Sequence, residues 1–262
     1  MNLQMDGKTA LVLSASRGIG HGVATTLARS GCRVVVASSS ADRIEAAAAA
    51  IRKETGGDIT AEVIDLADPV AARQATDEVV LRHGPFSILV VNGPGPKVVD
   101  AASATVADIR AALDIGVSAP VAVCQAVLPG MVEAGYGRII VLASTTAKEP
   151  DEGMVLSNLT RAALAAYAKT LSREVGKQGV TVNTVLTGSV LSERSESQLR
   201  AEAESVGQPY EDFLREVEDS IPVGRIASTD EFAQAIAFLA SPLSSYVTGA
   251  AIPVDGGWMR GV

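Results

Sequence analysis

Residues 9–20 read TALVLSASRGIG, a short apolar run that passes through a turn with two glycines into a helical pattern. When a strand leads through such a turn into a helix, the first N–H groups of the helix and the positive end of its dipole lie at the turn. A phosphate group can be held there. The stretch therefore predicts the first β-α unit of an α/β domain with a phosphate-binding turn formed by Ser14, Ser16, Arg17, Gly18, Ile19 and Gly20.

The same alternation of short apolar runs and longer helical patterns continues along the chain. Strands that are apolar throughout and separated by helical crossovers are typical of a parallel sheet covered on both faces. We predict an α/β fold with a doubly wound, parallel, seven-stranded sheet of the Rossmann type. Strands are expected near 9–13, 33–37, 60–64, 87–92, 138–143, 181–186 and 251–254, and helices near 18–30, 41–55, 69–83, 105–134, 154–178 and 229–240.

The organisation of the chain indicates one domain with one excursion. No linker interrupts the 262 residues, so residues 1–262 are expected to form a single domain. Residues 189–222 depart from the alternation of apolar strands and helices, because they are polar, charged and helical in pattern. They follow the C-terminal end of a strand, where open α/β sheets bind ligands, and predict a substrate-covering flap. The alternative interpretation is an exposed helical excursion.

Composition excludes several classes of function. The net charge of -8 argues against nucleic acid as a partner, and no run approaches the roughly 20 apolar residues of a membrane span. The N-terminal residues are too polar for a signal peptide, so a cytoplasmic protein is expected. Cys32 and Cys124 lack the spacing of a metal or redox site, and His21 and His83 are isolated. We therefore predict no bound metal.

Residues 137–176 read GRIIVLASTTAKEPDEGMVLSNLTRAALAAYAKTLSREVG. They resemble the catalytic stretch of the short-chain dehydrogenase/reductase family, and the nearest look-alikes are 3-oxoacyl-carrier-protein reductases. In that family a Ser is followed 13 residues later by a Tyr, and the Tyr four residues later by a Lys. Ser144, Ser157 and Arg161 stand at these positions here. The chain therefore resembles an atypical member that lacks the YxxxK motif.

The resemblance implies which residues act in catalysis. In the family the Tyr donates a proton, the Lys lowers the pKa of that Tyr and holds the ribose, the Ser orients the substrate and an Asn supports a proton relay. Only Ser144 is kept, and Gly116 stands at the relay position. Ser157 and Arg161 share one helix face, and we predict Ser144, Ser157 and Arg161 as the catalytic residues. The proton donor stays open between a water held by Ser144 and Ser157, Lys148, and an acid from Glu149, Asp151 or Glu152.

The resemblance also assigns cofactor positions around the turn. Ser14 replaces the first glycine of the family's turn. At the end of the second strand Ser38 and Ser39 stand where NAD-dependent enzymes carry an acid, while Arg17 and Arg43 could attract a 2′-phosphate. This favours NADP(H) over NAD(H). The remaining cofactor positions implied by the resemblance are Asp65, Leu66, Asn92, Gly93, Arg161, Thr187 and Gly188.

These patterns together predict an NADP(H)-dependent oxidoreductase that acts on a carbonyl or hydroxyl group of a small-molecule substrate. Two alternatives stay open. One is a non-redox lyase, isomerase or cyclase that polarises an oxyanion with the same three residues, and the other is a catalytically silent binding subunit. Resemblance to the family implies a homodimer or homotetramer with helices 105–134 and 154–178 and the C-terminal strand at its interfaces.

Overall fold

The computed structural model describes residues 2–261, and within them seven parallel strands form one sheet. The strand order is β3-β2-β1-β4-β5-β6-β7, so the predicted doubly wound sheet is confirmed. Each strand begins and ends within one residue of the prediction. The strands are β1 (Thr9–Leu13), β2 (Arg33–Ser38), β3 (Ile59–Val63), β4 (Ile88–Val91), β5 (Gly137–Ser144), β6 (Val180–Thr187) and β7 (Ala251–Val254).

The helices cover both faces of this sheet. The described residues form α1 (Gly18–Arg29), α2 (Ala41–Thr55), α3 (Pro69–His83), α4 (Val106–Leu113), α5 (Ala119–Glu133), α6 (Val155–Val175), α7 (Glu193–Ser205), α8 (Tyr210–Asp219) and α9 (Thr229–Ala240). The single helix predicted over 105–134 is divided into α4 and α5 by a π turn at Asp114–Ser118. The polar excursion is helical, because α7 and α8 lie within it.

Alternation of side chains along the strands produces two cores. In β1, Val12 points into the core formed with α1, α2 and α9, whereas Leu11 and Leu13 point into the core formed with α3, α5 and α6. All five residues of β1 are buried. The apolar runs without alternation in the sequence are explained by this burial on both faces.

One helical stretch corrects an expectation from composition. Residues Val106–Glu133 are long and apolar enough to cross a membrane, with a mean hydropathy of 1.7 over the most apolar window. The expectation that no segment approaches this length and composition was therefore wrong. Val123, Cys124 and Val127 of this stretch are buried in the core against the sheet. Such packing is that of a core helix in a globular domain.

The order of the strands fixes where a ligand can enter. The chain runs from β1 outward to β2 and β3, and then returns to β4 on the other side of β1. Helices therefore leave β1 and β4 in opposite directions and open a crevice beyond the C-terminal ends of these strands. The glycine turn after β1 and the end of β5 both face this crevice.

Candidate active site

A cavity of about 540 Å³ occupies the crevice. It extends from the end of β2, past the glycine turn, to the ends of β5 and β6. With one exception, all residues predicted to bind the cofactor or to act in catalysis line it. These are Ser14, Ser16, Arg17, Gly18, Ile19, Ser38, Ser39, Asp65, Leu66, Asn92, Gly93, Ser144, Ser157, Arg161, Thr187 and Gly188.

Gly20 is the exception and has a packing role. It is buried and does not line the cavity. A Cβ at this position would lie 2.4 Å from the carbonyl oxygen of Ser14 and 2.9 Å from Nδ2 of Asn92. Gly20 therefore lets α1 pack closely onto the turn, and its contact with the cofactor stays a prediction.

Ser14 keeps the backbone conformation of the glycine that it replaces. Its φ is +50°, in the left-handed region that favours glycine. The amide of Asn92 donates a hydrogen bond to the Ser14 carbonyl oxygen at 3.4 Å and so braces the turn from the end of β4. The phosphate-binding turn remains open to the cavity with serine at position 14, because Ser14 itself lines the cavity.

The start of α1 fits a pyrophosphate. Its N-cap residue, Arg17, makes no capping hydrogen bond with its side chain, and the first turn contains no acidic residue. The N–H groups of that turn therefore remain available to an anion, with the helix dipole aligned towards it. Gly18, at φ +58°, presents a surface without a side chain to the cavity.

The end of β2 fits a 2′-phosphate. Ser38 is buried at the end of the strand, Ser39 is exposed, and both line the cavity. The Ser40 hydroxyl accepts a hydrogen bond from the backbone N–H of Arg43, which places Arg43 in the first turn of α2 beside the cavity. The guanidinium groups of Arg17 and Arg43 are exposed at this end and can bind phosphate oxygens.

A network of hydroxyl groups replaces the usual Ser and Tyr pair. The Oγ of Ser144 accepts a hydrogen bond from the backbone N–H of Thr146 at 3.2 Å. The hydroxyl of Thr146 lies 3.4 Å from that of Ser157, and both side chains are buried. Thr146 is therefore a site residue that the sequence analysis missed. Its position two residues after Ser144 was the only signal.

Arg161 lies one helical turn after Ser157 and is half-buried. Its Nη1 donates a hydrogen bond to the carbonyl oxygen of Leu142 at 3.4 Å. Burial, with a smaller contribution from Arg194, lowers the pKa of Arg161 to about 10. The group therefore keeps its charge at neutral pH and can donate hydrogen bonds without releasing its proton.

Gly116, predicted to stand at the relay position, packs against Thr160. Gly116 lies in the π turn, where a Cβ would meet the Cβ of Thr160 at 2.9 Å. The hydroxyl of Thr160 donates to the carbonyl oxygen of Leu156 at 2.8 Å and fixes the side chain in place. An asparagine at 116 would require Thr160 to move.

The charged residues considered as proton donors lie outside the cavity lining. The Glu149 carboxylate accepts hydrogen bonds from the backbone N–H groups of Arg260 and Gly261. Burial and the neighbouring Glu149 raise the pKa of Asp151. Lys148, Glu149, Asp151 and Glu152 are all absent from the lining, which leaves a water at Ser144 and Ser157 as the donor in closest agreement with the geometry.

The other titratable groups singled out in the sequence lie in structural positions. His83 is paired with Glu62 at 2.6 Å, and His21 lies in α1 outside the main cavity. Burial raises the pKa of both thiols, Cys32 and Cys124, to about 12, with a smaller contribution from Asp6 at Cys32. Within residues 2–261 no group of side chains is arranged to hold a metal ion.

Part of the polar excursion closes over the cavity. Ser192 caps α7 and its Cβ lies 3.4 Å from the position that a Cβ on Gly18 would occupy. Ser192, Glu193, Arg194 and Gln198 all line the cavity, and the sequence analysis had assigned no individual role to them.

Comparisons with known proteins agree with this geometry. Residues 14–259 match the model of the family described as Enoyl-(Acyl carrier protein) reductase. D-threitol dehydrogenase of Mycolicibacterium smegmatis is 33% identical over 98% of this chain and 95% of its own length. The structure of L-sorbose reductase from Gluconobacter frateurii, complexed with NADPH and L-sorbose, matches all of both chains with a TM-score of 0.95 and 29% identity.

A further solved structure is described as atypical at its catalytic center. It is an NADPH-bound short chain oxidoreductase from Pseudomonas aeruginosa PAO1 described as containing an atypical catalytic center, with 29% identity, a TM-score of 0.88, and coverage of 97% of this chain and 98% of the other. This chain belongs to the short-chain dehydrogenase/reductase family. The predictions of the family, of its oxidoreductase class and of its NADP(H) cofactor type are therefore confirmed at the level of the family.

Proposed function

We propose that the protein transfers a hydride between NADP(H) and a carbonyl or hydroxyl group of a small molecule. The observation that carries this proposal is the single cavity that joins the glycine turn to Ser144, Ser157 and Arg161. The complexes of similar proteins with NADPH support the same cofactor here. The bound nicotinamide supplies the hydride, and the protein supplies position and electrostatics.

The chain's own residues divide into two groups along the cavity. The first turn of α1 would hold the pyrophosphate, Arg17 and Arg43 would bind the 2′-phosphate, and Asp65 and Leu66 would receive the adenine. Towards the other end, Thr187 and Gly188 would hold the nicotinamide, and the guanidinium of Arg161 would donate to the ribose hydroxyls.

Reduction at this site takes place without a phenol. Ser144 donates a hydrogen bond to the carbonyl oxygen, and Ser157, held by Thr146, orients the water that supplies the proton. A positioned general acid contributes a factor of about 10² to 10⁴ to the rate. We therefore expect slow turnover compared with members that carry the Tyr, since proximity and hydride alignment still operate.

Residues 189–222 are proposed as the substrate-covering flap of this single domain. The contact of Ser192 with the glycine turn and the place of Gln198 in the cavity lining support this role. We also propose a cytoplasmic homodimer or homotetramer with 105–134, 154–178 and β7 at its interfaces, by resemblance to the family. Light scattering after size-exclusion chromatography measures the number of subunits, and a monomer would contradict the assembly.

Nucleotide binding is the first test of the proposed function. Fluorescence titration should show tighter binding of NADPH than of NADH. Arg43→Ala should weaken NADPH binding about 10-fold or more, the effect of one charge-assisted hydrogen bond. Arg52→Ala is the matched control, because Arg52 lies on the same helix and pairs with Glu45. Absence of binding of either nucleotide would overturn the proposal.

Turnover is the second test. NADPH oxidation with a panel of aldehydes and ketones should be detectable, and Ser144→Ala should lower kcat about 10²-fold, as the loss of one polarising donor does. Substrate conversion without any change in NADPH absorbance would instead favour a lyase, isomerase or cyclase. A protein that binds the nucleotide and captures an active relative, but converts no substrate, would favour the interpretation as a catalytically silent subunit.

A further inference from the structure

The nicotinamide side of the cavity carries two guanidinium groups without an acidic partner. Arg161 reaches the cavity from α6 and Arg194 from the first turn of α7. Among residues 2–261 neither forms an ion pair with a carboxylate. Charged groups on a protein are ordinarily paired or solvated, and two like charges that share a cavity repel each other. An anion bound near both groups would offset that repulsion.

Arg194 crosses the mouth of the cavity. Its side chain is exposed overall, but its Nη2 lies 2.5 Å and its Cζ 2.8 Å from the position that a Cβ on Gly95 would occupy. The guanidinium therefore rests on the backbone of the loop after β4, and a side chain at position 95 would displace it. Gly95 makes room for Arg194, whose guanidinium lies beside the loop after β4 at the cavity.

The phosphate groups of the coenzyme have other partners. Arg17 is the N-cap residue of α1 in the glycine turn, and Arg43 lies in the first turn of α2 after β2. Arg194 lies instead beside the loop after β4, close enough to Arg161 to act on it electrostatically. Of the two acids in the lining, Asp65 follows β3 at the adenine end, and Glu193 precedes Arg194 without pairing with it.

We propose that the substrate is an oxo acid whose carboxylate is bound by Arg194 while its carbonyl lies at Ser144. This inference rests on the proposed function. Arginine is suited to the role because its planar fork binds both oxygens of a carboxylate. Arg161, one helical turn from Ser157, adds its charge to the same region. The bound carboxylate separates the two guanidinium groups and neutralises part of their charge.

The reaction balances with the coenzyme and water alone. The carbonyl carbon of the oxo acid accepts a hydride, its C=O double bond opens, and the oxygen takes a proton from water. The oxo acid is reduced to a hydroxy acid, NADPH is oxidised to NADP⁺, and a hydroxide is released to solvent. The carboxylate takes no part in the chemistry and serves only to hold the substrate.

The test compares each acid with its own methyl ester. Straight-chain 2-oxo and 3-oxo acids of increasing length are assayed with NADPH beside their esters, on the wild type, Arg194→Met and Arg200→Met. Arg200 is the matched control, because it lies on α7 outside the cavity, paired with Glu196 and stacked on Tyr210. We expect kcat/KM for acids to exceed that for esters about 10- to 100-fold, as a hydrogen-bonded charge pair allows.

Arg194→Met should abolish that preference through KM, with kcat and the affinity for NADPH changed less than about 2-fold, and Arg200→Met should keep it. Equal kcat/KM for acids and esters in the wild type would overturn the inference. So would an Arg194→Met variant that loses NADPH affinity instead, because the guanidinium would then serve the coenzyme.

A binding measurement separates failure of the inference from failure of the proposed function. Straight-chain alkanoates, which cannot be reduced, are titrated into the NADPH complex by calorimetry. Binding that Arg194→Met removes supports the carboxylate site even where no turnover is seen. An NADPH complex that reduces ketones but binds no alkanoate overturns the carboxylate site alone, whereas a protein that binds no NADPH overturns both.

Discussion

Replacing Arg161 with methionine should stabilise the nucleotide-free protein, although the residue lies in the candidate active site. Burial and Arg194 lower the pKa of Arg161 to about 10, and this shift corresponds to a cost of about 3 kcal/mol for holding the charged form in the folded protein. Methionine keeps most of the apolar stem but loses the hydrogen bond to Leu142, worth about 1 kcal/mol. The expected net gain is about 2 kcal/mol in the free energy of unfolding.

Thermal unfolding without nucleotide measures this gain, which corresponds to a rise of about 4–8 °C in Tm for a chain of this size. Because the pKa of Arg161 is lower in the folded than in the unfolded protein, the cost is present in full below about pH 10 and decreases as the pH rises above that value. The gain in the free energy of unfolding from Arg161→Met should therefore decrease at high pH. It should also be smaller in the presence of saturating NADPH. Arg52→Met on α2 is the control. A lower Tm for Arg161→Met than for the wild type at neutral pH would refute the reasoning.

Three further substitutions test the turn and the relay position. Ser14→Gly should raise the free energy of unfolding by about 1 kcal/mol, because Ser14 holds a φ of +50°; an unchanged denaturation midpoint would contradict this strain. Gly20→Ala should lower it by about 2 kcal/mol or more, since the new Cβ would meet the Ser14 carbonyl oxygen at 2.4 Å. Gly116→Asn should cost about 1–3 kcal/mol by overpacking, and Thr160→Ala in the same chain should recover part of that loss. Full stability of Gly116→Asn alone would show that the turn adapts.

The strands were predictable because their apolar runs are bounded on both sides. All seven lie within one residue of the expected ends. The interruption of the helix over 105–134 was not predictable, because a π turn at Asp114–Ser118 leaves no signature in the pattern of apolar residues. Within this turn Gly116 packs against Thr160, a contact that only the structure shows.

Some residues of the candidate site could likewise be predicted from the sequence, and others could not. Residues that belong to a strand-turn-helix pattern, such as Ser144 and Gly18, could be placed from sequence because the topology brings them to one edge of the sheet. Thr146 and Arg194 could not, because their places depend on a short turn and on a polar helical segment that reaches the cavity lining. In the sequence Arg194 is one charge among many in a polar run.

The residues at the positions of the family's Tyr and Asn contact neighbours that fit them. This fit indicates that several positions of the site changed together. Ser157 pairs with Thr146, and Thr160 fills the space beside Gly116. A site that had merely lost its Tyr would leave the neighbouring positions suited to an asparagine relay. Ser157→Tyr with Arg161→Lys should therefore restore little reduction of simple ketones, since the relay position stays blocked. A return of rapid ketone reduction in that double variant would show that the Tyr and Lys alone were missing.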